Sequence, residues 1–267
     1  MLAVFRQELR MQRGSWITWT IVLLCLAAVY LSIYPSFAHD AKTVTEAFAK
    51  LPQAIKNAMG TGGFRLLNFP GFIANVLPIF MLAGGIQAVS MGISMLNRER
   101  LAGTSDFLIS KPVARGSIFW QKLFANLCIL LVTSLALIAT LYIGALAVKA
   151  DDFSTKTFLM VMAAFTLVQC WFLAVGIAIS QLIGRIRNSI GLSIALCFGL
   201  FVLAMFSSIV GDETIRYLTP YKYIDLLKVV QDGNYEPAHL FVWLVVVVVA
   251  IGSSWLLFRR RDVESAS

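Results

Sequence analysis

Charge is scarce in this chain. Only 13% of its 267 residues are Asp, Glu, Lys or Arg, against about 25% in an ordinary globular domain, while 59% are hydrophobic. Too little polar chain is left for a sizeable soluble domain, so the sequence reads as an integral membrane protein. Histidine is nearly absent. His39 and His239 stand alone, with no Cys or His-Glu pattern beside either, which leaves a zinc hydrolase without a ligand set. The four cysteines, Cys25, Cys128, Cys170 and Cys197, all lie in apolar runs without CxxC spacing. They read as buried apolar side chains, with neither a disulfide framework nor a metal site. No GxxxxGK[ST] phosphate loop is present, so any uphill work requires nucleotide hydrolysis by another chain. No small-residue cleavage site follows the first apolar run, which is therefore expected to stay in the membrane as an anchor.

What the sequence does contain is six apolar runs, each near the roughly 20 residues that cross a bilayer core of about 30 Å. The expected spans are Ile17–Tyr34, ended by Tyr34-Pro35, then Ile73–Leu96, Leu123–Ala147, Phe158–Ile183, Ile190–Ile209 and His239–Phe258. None contains Asp, Glu, Lys or Arg. Intramembrane ionisable groups mark proton relays and ion paths, and their lack counts against a proton-coupled transporter. The polar residues inside are neutral: Asn75, Gln87, Asn126, Gln169 and Gln181. They are expected to hydrogen-bond between helices. Ser207-Ser208 and Ser253-Ser254 have no base histidine near them in sequence, as a serine nucleophile needs.

The charges outside the spans sort by side. Met1–Gly14, the segment 97–122, the turn 184–189 and Arg259–Arg261 with the tail hold thirteen basic and five acidic side chains, the whole net charge of +8. The opposite side holds nine of each. This asymmetry predicts six spans with both termini in the cytoplasm, and it assigns the basic excess to topology rather than to nucleic acid.

The extramembrane segments have patterns of their own. Met1–Gly14 places Leu2, Phe5, Leu9 and Met11 against Arg6, Gln7, Arg10 and Arg13, which suits a helix in the membrane interface or an extension of the first span. Trp16 and Trp19 mark an interfacial belt. The external segment 36–70 carries an amphipathic helical pattern (Val44, Ala47, Phe48, Leu51, Ile55, Met59) ended by Gly60, Gly62 and Gly63. In the external segment 211–238, Thr219-Pro220 predicts a short helix with Ile224, Leu227 and Val230 as its stripe and Gly233 as its stop. The segment 97–122, NRERLAGTSDFLISKPVARGSIFWQK, is the longest charged piece between two apolar runs. Lys111-Pro112 breaks it, and a short helix before that break is predicted to lie across the cytoplasmic face.

On these residues the chain resembles the membrane subunits of ABC-2 type ABC transporters, specifically the small six-span bacterial permeases. The most specific piece is Glu99-x-x-x-Gly103-Thr104-x-x-x-Leu108-x-Ser110-x-Pro112-Val113-x-Arg115, followed by Lys122. Ala114 stands where those permeases commonly have serine. Phe5-Arg6-Gln7-Glu8-Leu9-Arg10 is a weaker match to their opening. The resemblance implies a single all-α transmembrane domain over 1–267. It implies a coupling helix around Gly103–Ser110, seated in a groove of a cytoplasmic ATP-binding subunit present in two copies, and a second permease subunit, identical or related. Residues implied at that contact are Arg98, Glu99, Arg100, Leu101, Gly103, Thr104, Phe107, Leu108, Ser110, Pro112 and Arg115. ATP and Mg would sit on the partner, with no cofactor, metal or catalytic residue on this chain and no nucleic acid partner. The expected location is a bacterial inner membrane. The expected cargo is an amphipathic (antimicrobial-type) peptide or a hydrophobic compound, with Phe80, Phe165, Trp171, Phe172, Phe198 and Phe201 weighed as path-lining or as packing. The alternative is an intramembrane enzyme or a non-transporting scaffold.

Overall fold

The computed structural model describes residues 3–49, 68–102, 115–148, 150, 153–183, 186–210 and 216–264. Among them every regular element is a helix: α1 (Ala3–Ala49), α2 (Phe69–Ala102), α3 (Arg115–Ala147), α4 (Thr155–Leu182), α5 (Ser189–Val210), a 3-10 turn at Pro220–Lys222, α6 (Leu226–Asp232) and α7 (Pro237–Glu264). Six of these, all but α6 and the 3-10 turn, are long and apolar enough to cross a membrane. The chain is an all-α, multi-pass membrane protein.

Two expectations about the first span are corrected. The helix does not stop at Tyr34-Pro35: α1 runs unbroken through Pro35 for 47 residues, roughly 70 Å at 1.5 Å per residue. An internal proline forfeits one backbone hydrogen bond and clashes with the preceding turn, at about 3 kcal/mol or more. Here it sits between aromatic anchors that hold the helix on course. Tyr34 is buried, and its ring lies 5.0 Å from that of Phe69 and 5.3 Å from that of Phe72, while Phe37 lies 5.0 Å from Phe72. Nor is the N-terminal segment set off as a separate interfacial helix. Its residues are the first turns of α1, the extension also considered above. The pattern at 50–67 lies outside the described residues.

The centre of the bundle is the α2–α4 pair, the two most buried spans. Glycine allows this contact. A Cβ on Gly92 would lie 2.5 Å from the Leu173 carbonyl oxygen, and one on Gly176 would lie 2.7 Å from that of Val89, so the two backbones touch directly. Gly84 and Gly85 leave room for the rings of Phe165 and Phe172. Alongside lies the α1–α3 pair, where the Leu31 side chain fills the space beside Gly144. The last span, α7, is fastened to α4 by Trp243 Nε1, which donates to the Leu167 carbonyl at 2.8 Å, and by Tyr235, just before α7, whose hydroxyl donates to Met160 at 2.6 Å. α5 packs on α2. Both α5 and α7 leave Phe198, Phe206, Phe241 and Val248 exposed, as lipid-facing helices do.

Neutral polar groups link the two pairs inside the apolar core. Gln87 (α2) donates to Thr133 (α3) at 3.3 Å, Gln169 (α4) to Gln87 at 3.5 Å, and Ser134 (α3) to Gln169 at 2.9 Å, with Thr20 (α1) 3.4 Å from Thr133. The interhelical role expected of Gln87 and Gln169 holds. Asn75 differs, donating to Gly71 of its own helix. Phe80, Phe165 and Phe172 are fully buried among packed helices, Trp171 nearly so, and Phe198 faces outward. They are packing or surface residues in this structure rather than the lining of a path.

At the far end, the register of the short helix is also corrected. α6 begins at Leu226, capped by Asp225, whose carboxylate accepts from the Lys228 amide, and ends at Gly233 with φ 69°. Because the helix starts later than Pro220, its buried residues are Leu226, Val229 and Val230, and Leu227 is exposed.

Candidate functional site

Glu8 is the sole acidic residue before Asp40, and it is buried, with 4% of its surface exposed. A carboxylate taken out of water is costly unless it is paired and hydrogen-bonded. The pairing comes from both stems of the 97–122 segment. Lys122, near the start of α3 and equally buried, places its Nζ 3.8 Å from Glu8 Oε2. Arg98, near the end of α2, places a guanidinium nitrogen 4.0 Å from Glu8 Oε1. One turn along α1, Gln12 is fully buried. Its amide nitrogen donates to Glu8 and, at 2.8 Å, to Asn126 of α3. Lys122 also donates to the Met95 carbonyl of α2 at 2.9 Å, and Asn126 donates back to the Lys122 carbonyl at 2.8 Å.

A second grip lies beside this node. Asn97 of α2 is buried and holds the backbone of Ile186 in the α4–α5 turn from both sides. Its Nδ2 donates to the Ile186 carbonyl, and its Oδ1 accepts from the Ile186 amide at 3.0 Å. The far end of α7 reaches the same region, with Phe258 5.9 Å from Phe119 and Trp255 beside Gly116. The start of α1, the end of α2, the start of α3, the α4–α5 turn and the end of α7 therefore share one end of the bundle. These are the segments that hold the net positive charge.

The structure treats the sequence-predicted contact residues unevenly. Arg98 belongs to the Glu8 node. Glu99, Arg100 and Leu101 lie on the last turn of α2, and Arg115 is the first residue of α3, their side chains outside the described set. Gly103, Thr104, Phe107, Leu108, Ser110 and Pro112 lie outside the described residues. Sequence reasoning missed Glu8 itself. The available signal was its isolation: a single acid among basic residues at the head of the first span, with Gln12 one turn away on the same face.

The opposite end carries a smaller ionic group. Glu236 accepts from Lys228 at 2.6 Å, lies 3.4 Å from Arg216 Nη2, and sits 2.9 Å from His239 Nδ1. Arg216 also approaches Asp225 at 3.7 Å, and the Tyr217 ring stacks on His239 with centroids 4.8 Å apart. The hydrogen bond from Lys228, followed by that group's charge and those of Arg216 and His239, holds the Glu236 carboxyl below its ordinary range despite partial burial. The same bond raises the Lys228 ammonium.

Comparison with known proteins assigns a family. The model of a family described as ABC-2 family transporter protein matches residues 2–263, nearly the entire chain. No curated protein matches it. With six apolar helices and a family match over this length, the chain belongs to the ABC-2 family of transporter proteins.

Proposed function

We propose that this chain is the permease subunit of an ATP-driven exporter whose ATP is hydrolysed by a separate cytoplasmic subunit. The end that gathers the N-terminus, the 97–122 segment and the C-terminal turns of α7 faces the cytoplasm of a bacterial cell, because it carries the basic excess. Two ATP-binding subunits seat on two permeases, identical or related. The contact is made by the 97–122 segment, through Arg98, Glu99, Arg100, Leu101, Gly103, Thr104, Phe107, Leu108, Ser110, Pro112 and Arg115. The cargo is an amphipathic peptide or a hydrophobic compound, consistent with spans that carry no charge.

The observation that carries this reading is the Glu8 node. A loop that only connects two spans needs no buried link between its stems. Here the stems, through Arg98 and Lys122, meet on one carboxylate supplied by α1. A force applied to the loop by closure of a partner therefore reaches α1, α2 and α3 together.

The test is a mild-detergent pull-down of the tagged chain from its native membranes. It is repeated with Glu99→Ala combined with alanine substitutions across Phe107 and Leu108. A stoichiometric ATP-binding chain with the parent protein, lost from the variant while the variant stays monodisperse, is the expected result. If the parent protein comes down alone under conditions that keep other such complexes intact, the transporter reading fails, and the enzyme or scaffold reading takes its place. If the variant retains the ATPase, the assignment of the contact to this loop fails.

A further inference from the structure

The first turns of α1 have a second face that the Glu8 node does not use. Arg6, Arg10 and Arg13 recur at i, i+4 and i+7 and so share one side of the helix. All three are exposed, and among the described residues no carboxylate lies within ion-pair distance of any of them. Glu8, the nearest acid in sequence, points the other way into its pairs with Arg98 and Lys122.

Beside Arg10 and Arg13 a cavity of about 350 Å³ opens along the seam between α1 and α3, and its apolar walls are Leu9, Trp16, Ile129 and Val132. A second hollow of about 490 Å³ adjoins it, sharing Arg10 and adding Arg6. The slot has a definite depth. α1 and α3 run parallel, since Gln12 meets Asn126 and Thr20 meets Thr133. From Leu9 to the level of Val132 is about ten residues, roughly 15 Å at 1.5 Å per residue. That is half of a hydrocarbon core of about 30 Å, the thickness of one leaflet. Trp16, between the arginines and the apolar floor, stands where an indole marks the membrane–water boundary.

We propose that this slot binds one anionic phospholipid of the leaflet at the N-terminal end. Its phosphate sits on Arg10 and Arg13, and one acyl chain lies past Trp16 and Ile129 toward Val132. Guanidinium groups match a phosphate in a planar, two-pronged geometry, and Arg6 supplies further positive charge for an anionic headgroup. The apolar walls then cover a chain that a free phosphate does not have. A lipid held here steadies the turns of α1 that present Glu8 and Gln12 on their other side. The proposal rests on this cavity and its arginines, not on the transport reading, so the two stand or fall separately.

The full chain is purified in detergent, stripped of lipid and titrated with phosphatidylglycerol or phosphatidylcholine, with bound lipid counted by native mass spectrometry. One phosphatidylglycerol is retained in preference to phosphatidylcholine. Each arginine near the membrane surface is worth roughly a fivefold factor for an anionic lipid, so Arg10→Gln/Arg13→Gln weakens retention by roughly 30-fold. Val132→Trp, at an exposed wall position, fills the slot and abolishes it. Arg259→Gln, at an exposed arginine elsewhere that stacks on Trp255, leaves it unchanged. Equal retention of the two lipids, or retention unaffected by both slot variants, overturns the proposal. So does displacement by excess inorganic phosphate together with indifference to Val132→Trp, which would make this a soluble-anion site. Cys128 is exposed and lines the slot, so a cross-link between Cys128 thiols of two copies in the native membrane would assign the slot to a subunit interface and also overturn it.

Discussion

Replacing Lys122 by methionine tests whether the Glu8 node holds the bundle together. The substitution keeps the length and apolar volume of the side chain and removes the ammonium, together with its bond to the Met95 carbonyl. What remains is a carboxylate with 4% of its surface exposed, and Arg98, at 4.0 Å and one third exposed, as its remaining cation in the node. Removing one partner from a buried ion pair costs about 3–5 kcal/mol. A partly solvated arginine returns at most about 1 kcal/mol. The net loss is therefore about 2–4 kcal/mol, a fall in apparent melting temperature of roughly 5–10 °C for a chain of this size. Glu8→Gln alone removes the carboxylate that lies 3.8 Å from the Lys122 ammonium and costs a similar amount. The double variant Glu8→Gln/Lys122→Met removes both charges and retains an amide that Gln12 can bond, so it recovers most of the loss. Melting followed by fluorescence-detected size exclusion of the four proteins closes the cycle. The reasoning requires a coupling of at least about 1.5 kcal/mol, since neighbours in one network couple by about 0.5–3 kcal/mol. Additive single effects would show that Glu8 and Lys122 are near each other without depending on each other, and the node would lose its claim to transmit force.

Three further outcomes follow from the packing and the charges. Gly92→Ala places a methyl 2.5 Å from the Leu173 carbonyl and should cost about 1–3 kcal/mol or abolish assembly, whereas Gly252→Ala, where a Cβ meets nothing within 4 Å, should melt like the parent. Gln169→Leu leaves Gln87 and Ser134 short of a partner and should cost about 1 kcal/mol, the usual worth of an interhelical hydrogen bond in a membrane, read from the same melting curves. At the other end, Glu236 has its carboxyl held below the ordinary 4.5 and Lys228 its ammonium above the ordinary 10.5. The depressed carboxyl stabilises fully above 4.5 and loses that contribution as pH falls through its lower folded value. The raised ammonium stabilises fully below 10.5 and loses its contribution as pH rises through its higher one. The melting difference between the parent and Glu236→Gln should shrink below 4.5 and above 10.5, and a constant difference across both limits would refute the assignment.

The spans were legible because crossing a bilayer leaves a strong trace. Runs of about 20 apolar residues and a one-sided basic excess are properties of short stretches, so α2 to α5 and α7 could be placed without knowing what each touches. What was not legible depends on contacts far apart in sequence. Pro35 reads as a stop because locally it is one, and the rings of Phe69 and Phe72 that hold α1 through it come from a different helix. The register of α6 slipped because Pro220 begins a 3-10 turn instead of the helix, and the cap that matters is Asp225. The site was half visible. Arg98 and Lys122 stood out as loop charges, but a topology argument counts charges without pairing them, and Glu8 lies more than 80 residues away from either.

The distribution of polar groups makes physical sense as a gradient. Deep in the bundle, linking α1–α3 to α2–α4, there are only neutral amides and hydroxyls, which need a partner but carry no Born penalty. At the N-terminal end, where water and headgroups are near and the desolvation cost is lower, three of these helices, α1, α2 and α3, are linked by charge through Glu8, Arg98 and Lys122. Well-packed apolar contacts resist deformation, so helices joined by both kinds of link shift together. Among the described residues, the two long helices that take no part in either the deep network or the Glu8 node are α5 and α7. α5 packs on α2 and has the turn before it held by Asn97, and α7 is tied mainly to α4. On the proposed coupling role, a load applied at the loop between α2 and α3 would reach α1, α2 and α3 through the Glu8 node and α4 through the deep network.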